Sequence, residues 1–102
     1  MAAPRLALPQ LDVRRLAEVC RANDVSYLAV FGSYARGEDS PKSDLDLIVR
    51  FSKRKSLLGL VALQREISSA IGRVVDLHTE ASISPYLQKS IAQDLQVIYE
   101  TR

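Results

Sequence analysis

Asp44 and Asp46 are separated only by Leu45, within the string SDLDLIVRF from Ser43 to Phe51. Alternating polar and apolar side chains predict a strand there, with both aspartates on one face and Leu45 and Leu47 on the other. The strand rise then sets their Cα atoms about 7 Å apart, close enough for both carboxylates to turn toward a common centre. RVVDLHTE, Arg73 to Glu80, repeats the device, with Val75 and Leu77 on one face and Val74, Asp76 and His78 on the other. Neighbouring strands would set Asp76 across from Asp44 and Asp46. Three carboxylates so placed repel one another and raise a pKa unless a cation offsets them. A carboxylate-rich pocket suits Mg²⁺ or Mn²⁺ better than zinc, which favours His and Cys. Two such ions about 4 Å apart serve in-line phosphoryl or nucleotidyl displacement. Asp-x-Asp alone fits a solvated strand edge equally well, so its surroundings must decide.

Those surroundings include a Gly-Ser turn. Gly32 ends the apolar run VSYLAVFG and lets the backbone turn tightly and approach a ligand. Ser33 follows with a hydroxyl and with an amide that can face an anion. Gly37 permits a second bend, and Arg36 can donate to phosphate or pin the loop to a carboxylate. Glu38 stands where a P-loop needs Lys, and the glycine spacing does not fit the dinucleotide fingerprint. The loop is a phosphate-binding candidate of another kind.

The elements that must position these residues can be read in order. Residues 1–9 form an arm, and residues 10–102 a single domain. From Leu11 to about Asn23, Val13, Leu16, Ala17 and Cys20 share a helical stripe. Val25 to Gly32 is a first strand and Ser43 to Phe51 a second. Ser56 caps a helix running to about Ile71, with Leu60, Leu63, Ile67 and Ile71 inward and Gly72 as its stop. Arg73 to Glu80 is a third strand. Ser84 and Pro85 open a last helix, and QVIYE closes the chain as a short strand or extended tail. This order gives an α/β (α+β) domain with a small mixed sheet.

Bulk properties remove several function classes. The chain has 102 residues, 47% of them hydrophobic, enough for a core without disulfide or metal staples. Fourteen Lys and Arg against twelve Asp and Glu leave a net charge of +2, which argues against direct nucleic-acid binding. Cys20 is the single cysteine and reads as a core residue in a reducing compartment. LLGLVAL, Leu57 to Leu63, is too short to span a bilayer, so a cytoplasmic location is expected, with no membrane partner. Arg50, Lys53, Arg54 and Lys55 read as a solvated turn, with a docking patch as the alternative. A lone His78 without Cys or His companions reads as a packing or supporting residue rather than a zinc ligand. Tyr34 could stack near a nucleotide, whereas Tyr27, Tyr86 and Tyr99 read as core or interface positions.

Gly32-Ser33, ten residues, then Asp44-x-Asp46 resembles the spacing of the DNA polymerase beta-like nucleotidyltransferase superfamily. The fuller string GSYARGEDSPKSDLDLIV is similar to its smallest branch, the minimal nucleotidyltransferases (MNT). The resemblance runs from about Val25 to Tyr99, includes the third acid in RVVDL, and shows no departure at a motif residue. It implies the polymerase beta-like fold, a small mixed sheet flanked by helices. It implies that Gly32 and Ser33 hold the triphosphate of ATP, with Arg36 contacting phosphate or bracing the loop. It implies that Asp44 and Asp46 ligate two Mg²⁺ ions, Mn²⁺ being possible in their place. Asp76 would ligate the ion beside the attacking hydroxyl and help remove its proton. AMP would pass to a hydroxyl of a protein partner, and pyrophosphate would leave. In this branch the partner is a helical HEPN-type toxin bound in a hetero-oligomer, and the transferase acts as antitoxin. The alternative is a non-catalytic module that neutralises its partner by occlusion.

Overall fold

The computed structural model describes residues 12–32 and 45–101. The expected arm, Ser33, Tyr34, Arg36, Gly37 and Asp44 lie outside them. Each helix starts where a short polar side chain satisfies a free amide. In α1 (Val13–Ala22) the Asp12 carboxylate accepts from the Arg15 N–H at 3.0 Å, so the helix begins two residues later than the apolar stripe suggests. In α2 (Leu57–Ile71) the Ser56 hydroxyl accepts from the Gly59 N–H at 3.1 Å, and Gly72 ends the helix at φ +69°. In α3 (Pro85–Asp94) Ser84 accepts from the Tyr86 N–H at 3.2 Å, and Pro85 occupies the first helical position.

The strands are β1 (Val25–Phe31), β2 (Leu45–Phe51), β3 (Val75–Thr79) and β4 (Gln96–Glu100). They form one mixed sheet in the order β3-β2-β1-β4. The β1–β2 and β1–β4 pairs are antiparallel, whereas β2 and β3 run parallel, with α2 as the crossover. QVIYE is therefore an edge strand rather than a tail. β3 begins two residues later than the sequence pattern suggests. The Arg73 N–H turns back to the Ser68 carbonyl at 3.3 Å, and sheet contact starts where the Leu45 N–H donates to the Val74 carbonyl at 3.0 Å. A 3₁₀ turn, Glu80–Ser82, which the sequence pattern does not reveal, joins β3 to α3.

The two faces of the sheet have different occupants. Leu16 and Cys20 of α1 and Leu63 and Ile67 of α2 pack on Leu28, Val30, Leu45, Leu47, Val49, Val75 and Leu77. Burial pushes the Cys20 thiol up to about 12, as suits a core residue. Val25 enters the same core although strict alternation from Leu28 would point it away, because a register shift between Val25 and Tyr27 resets the phase of β1. Tyr99 is also core, but Tyr86 is 93% exposed and is not. On the opposite face Ala29, Ile48 and Ile83 make a smaller cluster, with Ile91 and Leu95 packed against it from α3 and its end. Among the described residues no helix is long and apolar enough to cross a membrane.

Candidate active site

Asp46 and Asp76 are brought together by the sheet itself. In the parallel β2–β3 ladder Asp46 is level with Asp76, and on its other side Asp46 is level with Phe31 of β1. Leu45 and Leu47 are both fully buried, and Val75 and Leu77 nearly so, which sends both acids to the opposite face. Their side chains remain 34% and 54% exposed, so a ligand can reach them.

Gly32 closes the third side. It follows Phe31 at φ +79°, and a Cβ placed on it would lie 2.8 Å from Asp46 Oδ2. A side chain there would meet both a disfavoured backbone conformation and the carboxylate. The glycine is thus required twice, by the turn and by the close approach of strand end and acid. The sequence pattern, a glycine closing an apolar run, signals the first requirement only.

His78 also points into this site. Its Nε2 lies 3.3 Å from Asp76 Oδ2 and 3.9 Å from Asp46 Oδ1, and its ring centroid is 5.6 Å from that of Phe31. One donor atom each from Asp46, Asp76 and His78 falls within 4.8 Å of the others, a spacing at which one metal ion could be shared. The sequence signal is the parity of Asp76 and His78 in one strand; the lack of a second His, or of a Cys near it in the sequence, points instead to a supporting role. Ser33, Arg36 and Asp44 stand outside the described residues, so the structure brings together Gly32, Asp46 and Asp76 of the six candidates.

Away from the acids, several charges are paired within the chain. The Arg50 guanidinium donates to the Glu80 carboxylate, which raises its pKa, and lies 5.1 Å from the centre of the Tyr27 ring. Lys55 donates to Asp24 at 2.9 Å and, with Lys53 nearby at 3.9 Å, holds that carboxyl below its usual range. Three members of the basic run therefore have acidic neighbours within this chain.

The nucleotidyltransferase domain model matches residues 13–98. A candidate protein adenylyltransferase of Methanocaldococcus jannaschii is 38% identical over 81 residues, which are 79% of this chain and 87% of that protein. A solved structure of a candidate minimal nucleotidyltransferase is 32% identical, with a TM-score of 0.74 over 91% of this chain and 97% of the other. A chain from the tri-AMPylated Shewanella oneidensis HEPN toxin in complex with MNT antitoxin superimposes with a TM-score of 0.66. It is 21% identical, over 87% of this chain and 70% of that one, and shares the fold.

Proposed function

The chain belongs to the nucleotidyltransferase domain family, and from that premise we propose that it is a protein adenylyltransferase. It moves AMP from ATP to a hydroxyl of a HEPN-type toxin and so serves as the antitoxin of the pair. The observation that carries the reading is the pairing of Asp46 with Asp76 in adjacent parallel strands, beside a glycine whose missing side chain leaves room at Asp46. The relatives support the choice of group and acceptor: one is named for protein adenylyl transfer, and another structure contains an AMPylated HEPN toxin with its MNT antitoxin.

In this reading Asp44, Asp46 and Asp76 hold two Mg²⁺ ions. The mutually close, accessible oxygens of Asp46 and Asp76 fit such ions. When bound, the ions neutralise phosphate charge and lower the pKa of an attacking hydroxyl. The chain's own groups do the positioning. Gly32 and Ser33 seat the triphosphate, with Arg36 beside it. Asp76 accepts the proton of the acceptor hydroxyl as its oxygen attacks the α-phosphorus. A new P–O bond forms to the acceptor, the bond from the α-phosphorus to the bridging oxygen breaks, and pyrophosphate departs with its electron pair.

The test is transfer of label from ATP labelled at the α-phosphate, with Mg²⁺, to protein in a lysate of the native host. The expected result is a labelled band that is absent with Asp46→Asn. If the unsubstituted protein neutralises its toxin and labels nothing, and Asp46→Asn neutralises as well, adenylyl transfer is refuted and occlusion is the mechanism.

A further inference from the structure

The carboxylates do not complete the donor set on this face. β3 alternation sends Asp76 and His78 to the same side, and register sets His78 level with Ile48 of β2, two residue pairs beyond the acids. The imidazole nevertheless reaches back: Nε2 is 3.3 Å from Asp76 Oδ2 and 3.9 Å from Asp46 Oδ1. Phe31, level with Asp46 on the next strand, packs against the ring at a 54° tilt. The ring is thus braced by an aromatic neighbour while its distal nitrogen faces two oxygens.

We propose that His78 is a nitrogen ligand of the metal shared by Asp46 and Asp76, and that it makes this site prefer Mn²⁺ over Mg²⁺. The inference rests on the metal-binding reading of the acids given above. An octahedral ion with ligands at about 2.1 Å spaces adjacent donor atoms about 3 Å apart and opposite ones about 4.2 Å apart. The two His78 separations, 3.3 and 3.9 Å, lie within a few tenths of an ångström of those spacings, and the carboxylate donors, within 4.8 Å of each other, would close on the ion as it binds. Mg²⁺ holds its waters tightly and favours an oxygen shell, whereas first-row transition ions accept imidazole nitrogen beside carboxylate oxygen. One nitrogen in an otherwise oxygen-donor site therefore discriminates between ions of similar size and equal charge. Hydrogen bonding to Asp76 would account for the shorter separation. It would not call for the same nitrogen to lie near Asp46 as well.

His78 is the chain's single histidine, so an isotope label on histidine reports on one residue. Untagged full-length protein carrying ¹⁵N-histidine is loaded with Mn²⁺ alone and studied by pulsed electron paramagnetic resonance. The expected result is a directly bonded nitrogen coupling that changes between ¹⁴N- and ¹⁵N-histidine preparations. In His78→Gln the coupling vanishes and the Kd for Mn²⁺ rises about tenfold, the low end of what even outer-sphere partners cost. The Kd for Mg²⁺, from competition, should change less than about twofold, in keeping with its preference for oxygen donors. Mn²⁺ that binds without nitrogen coupling and is lost in Asp46→Asn would overturn the role of His78 and leave the carboxylate site standing. Failure of Mn²⁺ to bind the unsubstituted protein would overturn both. The isotope comparison needs no substitution, so a poorly folding variant does not blunt it.

Discussion

Gly32 and Gly72 separate the cost of a backbone conformation from the cost of a misplaced carboxylate. Both have positive φ, +79° and +69°, yet a Cβ on Gly32 meets Asp46 Oδ2 at 2.8 Å while one on Gly72 meets nothing within 4 Å. Alanine in the left-handed region costs about 1–2 kcal/mol. Loss of glycine's freedom in the unfolded chain returns about 0.4–1 kcal/mol. Each Gly→Ala substitution should therefore destabilise by about 1 kcal/mol, lowering the midpoint of thermal unfolding by about 4–8 °C for a domain of this size. The contact at Gly32 adds little to that figure, because the atom in the way is the end of a side chain that can swing aside. It matters instead for the site. Displacing Asp46 by about 1 Å is the kind of error that lowers turnover about 100-fold. The assay is calorimetric melting beside adenylyl transfer to the toxin partner. Gly32→Ala and Gly72→Ala should melt alike, and only Gly32→Ala should lose transfer. Equal activity in both would refute the claim that Gly32 is required by the position of Asp46.

Asp76→Asn should abolish transfer and shift stability by less than about 0.5 kcal/mol, because the residue is half exposed; chemical denaturation beside the label assay checks both halves. Leu63, 1% exposed, should cost about 2–5 kcal/mol on truncation to Ala, whereas Val61→Ala, at 45% exposure, should cost far less; urea midpoints report the difference. For Cys20 the folded thiol titrates at about 12 against an ordinary 9.0. The native state then holds a proton that the unfolded chain loses, so this stabilisation is complete below pH 9 and falls through the window up to pH 12. The slope is about 1.4 kcal/mol per pH unit. Unfolding free energies of the unsubstituted protein and Cys20→Ala should converge across that window, and parallel curves would refute the assignment.

The parts of this molecule that were legible beforehand are those governed by local chemistry. Ser56, Ser84, Pro85 and Gly72 mark helix ends through hydrogen bonds and dihedral preferences that act within a few residues, and each stands where its type predicts. The shared face of Asp76 and His78 follows equally from strand parity. What was not legible depends on contacts between distant segments. The phase reset in β1 is visible only in its pairing with β2. The engagement of Arg50 by Glu80 needs the 3₁₀ turn that follows β3, and the approach of His78 to Asp46 needs the parallel ladder. Residue counts could show that a basic run exists. Only the fold shows that much of its charge is met by Asp24 and Glu80.

The same ladder explains why two like charges persist side by side in so small a domain. Asp46 lies between Leu45 and Leu47, each fully buried, and Asp76 between Val75 and Leu77, at 2% and 6% exposure. A slip of one residue in either strand would carry its acid into the core and its leucine out to water. Burying an uncompensated carboxylate costs far more than repulsion between two partly solvated ones, so the core enforces the alignment that brings the acids together. Precision at the site therefore need not come from bonds between the acids themselves. It comes from the opposite face of the sheet, where side chains that never touch a ligand hold each carboxylate in register with its neighbour.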